Sequence, residues 1–246
     1  MHFQLEICAN SIRSALAAQQ GGADRIELCD NMAEGGTTPS YGLISICKKL
    51  LQIPVFPIVR PRGGDFLNLQ EEFEVMKQDV ITCRALGCEG VAIGMLTEYG
   101  SIDIERCAEL IALARPMQVT FHRAFDRCNN LEKGLEDIIR MGCERVLTSG
   151  GEVYATDGIK VLKKLVHQAK GRISIMPGSG INEENIFRIA KNSGAHEFHS
   201  TAKSFSDSKT KLLNPGNLAQ ADGLFQLLET DPERVQNMKQ VLLGMQ

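Results

Sequence analysis

The chain has little of what nucleic-acid-binding, membrane and secreted proteins carry. It has no tryptophan among 246 residues, and aromatic residues make up only 5%. The net charge is -3 and no basic run stands out, which argues against binding nucleic acid through a general basic field. No apolar stretch approaches the ~18–20 residues of a transmembrane helix, and the first residues do not resemble a signal peptide. We therefore expect a soluble, cytoplasmic protein with no nucleic-acid or membrane partner.

The sequence also contains neither a CxxC pair nor an HxxxH pair, although it has eight cysteines. Because the cytoplasm keeps thiols reduced, we expect free thiols or metal ligands rather than disulfides. Five cysteines occupy positions typical of small buried side chains: Cys47, Cys83, Cys88, Cys107 and Cys143. Cys128 follows the fifth predicted strand, and its role stays open. Cys8 and Cys29 remain to be explained.

Two N-terminal segments have nearly the same sequence, LEICAN at 5–10 and IELCDN at 26–31. Each alternates aliphatic and polar side chains with period two, which predicts a strand. Residues 11–20 between them have the periodicity of a helix, so the two strands should lie parallel. The aliphatic side chains then share one face of the sheet. The opposite face carries two carboxylates and two thiols: Glu6, Cys8, Glu27 and Cys29.

A second repeat, of five residues, predicts the architecture. Each copy has a glycine that ends a helix, a small residue, a polar pair and the start of an apolar strand. Its copies start at residues 22, 87, 142 and 194. With further strands between the copies, about eight strands alternate with about eight helices, and the even spacing favours a closed (β/α)8 TIM barrel over a doubly wound open sheet. We predict one domain over 1–246, with a long loop or insertion at 203–230 before the last helix.

In such a barrel, functional residues lie at the C-terminal ends of the strands. The polar side chains at these ends should therefore meet at one mouth. Taken strand by strand, the candidates are Glu6 and Cys8, Glu27 and Cys29, Arg60 and Arg62, His122, Arg123 and Asp126, Ser149 and Gly150, Gly178, Ser179 and Gly180, and His199. Three kinds of site compete for them.

The first is a soft metal site formed by Cys8 and Cys29. Adjacent parallel strands lie about 4.8 Å apart, so thiols at matching heights could share one ion. Thiolates favour Cu(I) or zinc, and a closed zinc site wants about four ligands, so Cu(I) suits two thiols better. The alternative is two buried cysteines in a core. Inward residues of neighbouring strands also belong to different layers, which could offset the two sulfurs.

The second is an anion or phosphate pocket. Main-chain amides at Gly150-Gly151, next to Ser149, and at 178–180 follow the sixth and seventh strands and could cradle a phosphate. Arg60 and Arg62 could clamp an oxyanion with their forked donors. The alternative is that these glycines are ordinary joints of the barrel.

The third is acid–base catalysis by Glu6 or Glu27 with His122 and Asp126. Buried carboxylates are costly unless they are paired, and crowded pairs acquire the shifted pKa values that catalysts need. The alternative is a scaffold whose two glutamates pair with the arginines of the mouth. Those arginines are Arg60, Arg62 and Arg123. His199 alternates with Thr201 towards the interior and joins the candidates.

Five motifs resemble those of the CutC family of copper homeostasis proteins. They are GADRIELC at 22–29, EGGTTPS at 34–40, RPRGGDF at 60–66, FHRAFD at 121–126 and VLTSG at 146–150. The resemblance covers residues 3–202. It implies a (β/α)8 barrel, a cytoplasmic homo-oligomer and a role in copper handling. It also implies Cu(I) ligands at the cysteines that end the first and second strands, positions occupied here by Cys8 and Cys29.

The sequence therefore favours a single-domain barrel that binds Cu(I) through Cys8 and Cys29 and serves copper homeostasis. One alternative is an enzyme that acts on a small anionic, for example phosphorylated, metabolite at the same mouth. The other is a scaffold barrel without a ligand.

Overall fold

The computed structural model describes residues 3–209 and 226–245, and its central part is a barrel of eight parallel strands surrounded by helices. In chain order the elements are β1 (Gln4–Ala9), α1 (Ile12–Gln20), β2 (Arg25–Leu28), α2 (Tyr41–Leu50), β3 (Val55–Pro57), α3 (Gln70–Ala85), β4 (Gly90–Ile93), α4 (Ile104–Ala114), β5 (Gln118–Phe121), α5 (Leu131–Met141), β6 (Arg145–Thr148), α6 (Ile159–Ala169), β7 (Ser174–Pro177), α7 (Ile186–Ser193), β8 (Glu197–Ser200), β9 (Lys203–Asp207), β10 (Gln226–Thr230) and α8 (Pro232–Leu243). The single-domain (β/α)8 barrel is thus confirmed.

Hydrogen bonds group the barrel strands into two parallel sheets, β3-β2-β1-β8 and β4-β5-β6-β7. An isolated bridge between Ile58 and Ala92 joins β3 to β4. β7 and β8, both fully described, form no ladder with each other. At the end of β8, the Ser200 hydroxyl donates to the carbonyl of Ile181, in the loop after β7, at 2.6 Å. The barrel is therefore closed by main-chain pairing except at a seam between β7 and β8.

The polar pair of the five-residue repeat has a structural explanation. Its first member lies outside the barrel, where Asp24, Glu89 and Glu144 each accept a hydrogen bond from a main-chain N–H of the neighbouring strand, at 2.7, 2.9 and 2.6 Å. The second member begins a strand and faces the interior. In three of the four copies this second member is a buried or half-buried charged residue: Arg25, Arg145 and Glu197. The repeat therefore places charges inside the end of the barrel opposite the mouth.

These charges form what we call the barrel floor, made of Glu6, Arg25, Arg145, Glu197 and Phe56. Arg25 donates to the carboxylates of Glu6 and Glu197, each at 2.5 Å, and Arg145 donates to Glu197 at 3.2 Å. Both guanidinium groups lie over the ring of Phe56, 5.6 and 5.1 Å from its centroid. The floor is a closed network in which every charge has a partner of opposite sign.

The barrel floor corrects one expectation. A scaffold in which Glu6 pairs with Arg60, Arg62 or Arg123 is wrong, because the partner of Glu6 is Arg25. Interior residues of neighbouring barrel strands lie in alternate layers. The first residue of β2 therefore reaches Glu6, whereas the arginines of the mouth lie beyond the ends of the strands.

The segment at 203–230 differs from the predicted loop at both ends. Lys203–Asp207 and Gln226–Thr230 are strands that pair antiparallel, and residues 210–225 of the predicted loop lie outside the described residues. The first strand escapes prediction because its exposed polar residues give no core-facing stripe and its order comes from pairing with a distant partner. The main-chain N–H of Thr230 anchors the strand pair by donating to the hydroxyl of Ser14, at 3.1 Å.

Within the described residues, no helix has the length and apolar character needed to cross a membrane.

The remaining cysteines are thiols of the outer core. Five of them are buried, as expected: Cys47, Cys83, Cys88, Cys107 and Cys143. Cys128 is half-buried and packs against the hydrophobic core at the start of the fifth helix. None of these six lies in the barrel interior.

Candidate functional site

A cavity of about 520 Å³, which we call the mouth cavity, opens at the C-terminal ends of the strands. It brings together nine of the residues predicted from the sequence: Cys8, Glu27, Cys29, Arg60, His122, Arg123, Ser179, Gly180 and His199. Six other predicted residues do not line it: Glu6, Arg62, Asp126, Ser149, Gly150 and Gly178. Three of the four polar side chains on the interior face of the repeated strands, those of Cys8, Glu27 and Cys29, thus line one cavity.

The two thiols of the mouth cavity are in contact. The sulfurs of Cys8 and Cys29 lie 3.4 Å apart, and both side chains are buried. Cys8 is in register with Glu27 rather than with Cys29, yet the predicted offset does not separate the sulfurs. Ile58, Ala92 and the half-buried Met32 pack around the pair. The hydrogen bond to Cys29, burial and the nearby Glu27 carboxylate raise the pKa of Cys8 well above its usual range.

Glu27 is buried without an arginine partner. Its Oε2 lies 3.8 Å from Nε2 of His199, and its Oε1 has no hydrogen-bond partner among the described residues. Burial raises the pKa of Glu27, and the negative Glu6 adds to this effect although His199 opposes it. The thiol of Cys8, a carboxylate oxygen of Glu27 and a ring nitrogen of His199 all lie within 4.8 Å of one another. These three atoms could together act as ligands of one metal ion.

His199 connects the mouth cavity to the barrel floor. Its Nδ1 lies 2.7 Å from Oε1 of Glu6, which leaves Nε2 facing Glu27. Burial alone would lower the pKa of His199, but the carboxylates of Glu27 and Glu6 outweigh burial and raise it. Burial alone would raise the pKa of Glu6, but Arg25 and His199 hold it well below its usual range. Glu6 is therefore a paired carboxylate that orients His199 from below.

His122 is a neutral hydrogen-bond donor. Its Nδ1 accepts a hydrogen bond from the main-chain N–H of Ala124 at 3.2 Å, so the ring proton belongs on Nε2. That Nε2 is buried and has no partner among the described residues. Burial and the positive charge of Arg60 lower the pKa of His122 to about 3. The ring packs against Phe66, with centroids 5.2 Å apart, which fixes its orientation.

The two arginines predicted as an anion clamp have different partners in different places. Arg60 donates to the carbonyls of Glu34, Gly36 and Gly64 at 2.8, 2.9 and 2.8 Å, so it ties the loops around the mouth together. Its Nε, still without a partner among the described residues, is its one buried free donor. Arg62 faces away from the mouth cavity and pairs with carboxylates outside it. The two guanidinium groups do not converge on one ligand.

The amides after the sixth strand are already occupied by Asp126. Its carboxylate accepts hydrogen bonds from the main-chain N–H groups of Ser149 and Gly151, each at 3.0 Å, and from the hydroxyl of Thr148 at 2.5 Å. Gly150 N–H donates to the Thr148 hydroxyl. Arg123 in turn donates to Asp126 at 2.8 Å. The protein's own carboxylate therefore fills the anion-binding position predicted there.

Sequence reasoning missed four residues of the interior: Arg25, Phe66, Tyr154 and Lys203. Arg25 precedes Glu27 and Cys29 on the same face of the strand, so extending the period-two pattern by one step identifies it. Phe66 and Tyr154 reach the mouth cavity from loops, and Lys203 reaches it from β9. No periodic pattern covers those positions, and the one available signal was that Phe66 ends the motif RPRGGDF.

Fold and site together define a single-domain (β/α)8-barrel protein whose mouth carries paired thiols. The chain belongs to the CutC family, whose model matches residues 3–204. It is 50% identical over 212 residues to a human copper homeostasis protein cutC homolog, across 86% of this chain and 78% of that protein. A CutC family protein of Chromobacterium violaceum is 46% identical over 240 residues, across 97% of each chain.

A solved structure agrees with this family assignment, and a second one shares the fold. A CutC protein of Streptococcus agalactiae has a TM-score of 0.78 at 32% identity, over 81% of this chain and 98% of that one. Thiamine phosphate pyrophosphorylase of Pyrococcus furiosus has a TM-score of 0.61 at 14% identity, over 98% of this chain and 96% of that one, and shares the fold alone. The family predicted from the motifs is confirmed. A cytoplasmic location and a homo-oligomer stay predictions.

Proposed function

We propose that this protein serves copper homeostasis and binds Cu(I) as its cargo through Cys8 and Cys29. The observation that carries the proposal is the 3.4 Å separation of the two buried sulfurs at the mouth. The names of the human and mouse relatives, both copper homeostasis protein cutC homologs, support the biological setting. The proposal includes a cytoplasmic location, where thiols stay reduced and able to bind metal.

The geometry of the thiol pair suits a single soft ion. Two thiolates at the metal–sulfur distance of tetrahedral zinc sites, about 2.3 Å, would lie about 3.8 Å apart. The observed 3.4 Å needs a shift of only a few tenths of an ångström. Thiolate and thioether ligands select Cu(I) over harder ions. The side chain of Met32, which packs against the cluster that contains both thiols, brings a third sulfur-containing residue to this part of the mouth.

Binding must displace protons from the thiols. Since the pKa of Cys8 is raised, its thiol is neutral at neutral pH, and an ion that binds the thiolate releases that proton. Burial keeps the pair away from bulk water, so the bound ion would be shielded from oxidation. His199 and Glu27 stand close enough to complete the coordination or to take up the charge.

A competition titration tests the proposal. Reduced protein is titrated with Cu(I) under anaerobic conditions against a chromophoric chelator, with wild type beside a Cys8→Ser/Cys29→Ser double variant. We expect one tightly bound Cu(I) per wild-type chain and an affinity lower by more than about 100-fold in the double variant, since ligand losses exceed the 10–100-fold effects of outer-shell changes.

Cys128→Ser is the matched control, because Cys128 is a free thiol outside the mouth cavity. It should bind Cu(I) like wild type. Equal affinity in the double variant and in wild type would rule out Cys8 and Cys29 as the ligands. Circular dichroism of each variant separates lost binding from lost folding.

A further inference from the structure

The mouth cavity is larger than a copper ion requires. Its volume of about 520 Å³ falls within the range of sites for small organic ligands, about 300–1,000 Å³. The two sulfurs occupy one side of it. Phe66 and His122 line another part of the wall, and Tyr154 and Gly180 line a third. Copper binding leaves these other parts without a role.

Three buried polar atoms in the described residues lack a hydrogen-bond partner, and all three belong to residues that line this cavity. They are Oε1 of Glu27, Nε of Arg60 and Nε2 of His122. The residues are only 5%, 5% and 2% exposed. Buried polar groups are nearly always hydrogen-bonded in native proteins, so three orphans at one cavity indicate a missing partner.

The hydrogen-bonding character of these three atoms indicates which groups the missing ligand must carry. Nε2 of His122 and Nε of Arg60 are donors, so they require oxygen acceptors. Oε1 of Glu27 can bond a hydroxyl group in either protonation state, because a hydroxyl both donates and accepts. A ligand with hydroxyl groups satisfies all three atoms, whereas a bare metal ion satisfies neither donor.

The loop after β7 supplies a different feature on the cavity wall. Ser179 and Gly180 both have positive φ, +80° and +71°, and a positive φ is strained for serine. Among the described residues, the main-chain N–H groups of Ser179, Gly180 and Ile181 donate no hydrogen bond. Successive amides in such a turn form a concave binding position for an anion.

A lysine stands at the same side of the cavity. Lys203 lines the cavity, is exposed, and forms no ion pair within the described part of the chain. With the free amides of 179–181, it gives this wall a positive character that the thiol side lacks. The seam between β7 and β8 lies directly below, where the Ser200 hydroxyl holds the loop by its bond to Ile181.

We propose that the mouth cavity binds a small organic anion that carries hydroxyl groups. Its hydroxyls bond Glu27 and His122, and its anionic group lies against the 179–181 amides and Lys203. A phosphate ester and a carboxylate share this chemistry. The site goes beyond the proposed copper function and uses different atoms from the thiol pair.

Calorimetry with reduced, metal-free protein tests this site with four probes. Ribose 5-phosphate and ribonate carry both hydroxyls and an anion, ribose carries hydroxyls alone, and inorganic phosphate is an anion alone. We expect at least one of the first two to bind at least tenfold more tightly than ribose or phosphate. Which of the two binds identifies the anionic group. Absence of binding by both at millimolar concentration would overturn the proposal, as would equal affinity for inorganic phosphate.

Two variants locate the bound probe. Lys203→Met removes the cation, and Lys160→Met is its matched control on the exposed face of α6. His122→Asn keeps a side-chain acceptor near the Ala124 N–H but removes the Nε2 donor. We expect Lys203→Met and His122→Asn each to weaken binding at least tenfold and Lys160→Met to leave it unchanged. Unchanged binding in either test variant would refute the placement.

The same variants separate this proposal from the copper proposal. Lys203→Met should bind Cu(I) like wild type, because Lys203 is not part of the sulfur pair. The Cys8→Ser/Cys29→Ser variant should keep its affinity for the organic probe. If the double variant loses Cu(I) and keeps the probe, both proposals stand; if it loses the probe while remaining folded, the organic site as placed here is wrong.

Discussion

The barrel floor and the mouth cavity differ in whether their buried polar groups have partners. In the barrel floor, Glu6, Arg25, Arg145 and Glu197 all have partners of opposite charge. In the mouth cavity, nearer the C-terminal ends of the strands, Glu27, Arg60 and His122 each leave one polar atom without a hydrogen-bond partner among the described residues. Removing a polar group from water costs free energy in both halves. Ion pairs within the protein offset this cost in the floor but not for the unbonded atoms of the mouth, which indicates that a ligand bonds them there.

The two repeated strands allow the floor and the mouth to be compared at matching sequence positions. Glu6 and Glu27 stand at matching positions of LEICAN and IELCDN, yet the pKa of Glu6 is lowered and that of Glu27 is raised. The stagger of parallel strands puts Cys8, not Glu6, opposite Glu27. Glu6 therefore lies in the floor, one layer below Cys8 and Glu27, where Arg25 meets it. Position in the barrel, not local sequence, decides which carboxylate is structural.

The largest expected effect comes from breaking the floor. Glu6→Gln removes one partner of a buried ion pair and leaves Arg25 and His199 without their shared carboxylate. We expect the free energy of unfolding to fall by about 3–5 kcal/mol. Urea denaturation measures this loss. Glu136→Gln, in an exposed pair with Arg172, is the control and should unfold like wild type; a Glu6→Gln protein as stable as wild type would show that the floor is not structural.

The next effect is a pH dependence from His122. Its pKa is about 3 in the folded protein and about 6.5 in an unfolded chain, so the unfolded state binds a proton first as the pH falls. This stability is fully present above about pH 6.5 and is lost as the pH falls towards 3. By pH 5 the loss should be about 2 kcal/mol.

His122→Asn removes the titrating group and should flatten this part of the stability profile between pH 7 and pH 5. Denaturant unfolding at several pH values measures the difference between variant and wild type. His167→Asn, on the exposed surface of α6, is the control. Parallel profiles for wild type and His122→Asn would mean that His122 is not held neutral by burial.

A smaller effect of opposite sign distinguishes the mouth from the floor. Glu27→Gln makes the same chemical change as Glu6→Gln, but it replaces a buried carboxylate that, among the described residues, has no arginine partner and has one unbonded oxygen, by a neutral amide. We expect the free energy of unfolding at neutral pH to rise by about 1 kcal/mol, as is common when a binding residue is replaced. A loss as large as that of Glu6→Gln would instead favour a scaffold barrel whose mouth is an ion network.

The sequence predicts the barrel and the thiol pair because both follow from short periods. Period-two alternation puts Cys8 and Cys29 on one face, and the barrel closes that face into an interior. The sequence does not predict which buried polar atoms lack a hydrogen-bond partner, because that depends on contacts with residues far along the chain. Asp126 is seen to be occupied only when Thr148 and Ser149 fold onto it. Arg60 is seen not to form the predicted anion clamp only when three loop carbonyls surround it.

The smallest expected effect concerns Arg62, which the motif RPRGGDF placed with Arg60. Arg62 is 38% exposed and pairs with Glu72 at 2.6 Å and Asp65 at 3.0 Å, outside the mouth cavity. Because exposed pairs contribute little, Arg62→Ala should change the free energy of unfolding by less than about 1 kcal/mol. Cu(I) affinity and ribose 5-phosphate binding should equal those of wild type in the same titrations. Loss of probe binding in this variant would mean that the loop after β3 reaches over the cavity when a ligand binds, and it would move the boundary of the site outward from the barrel interior.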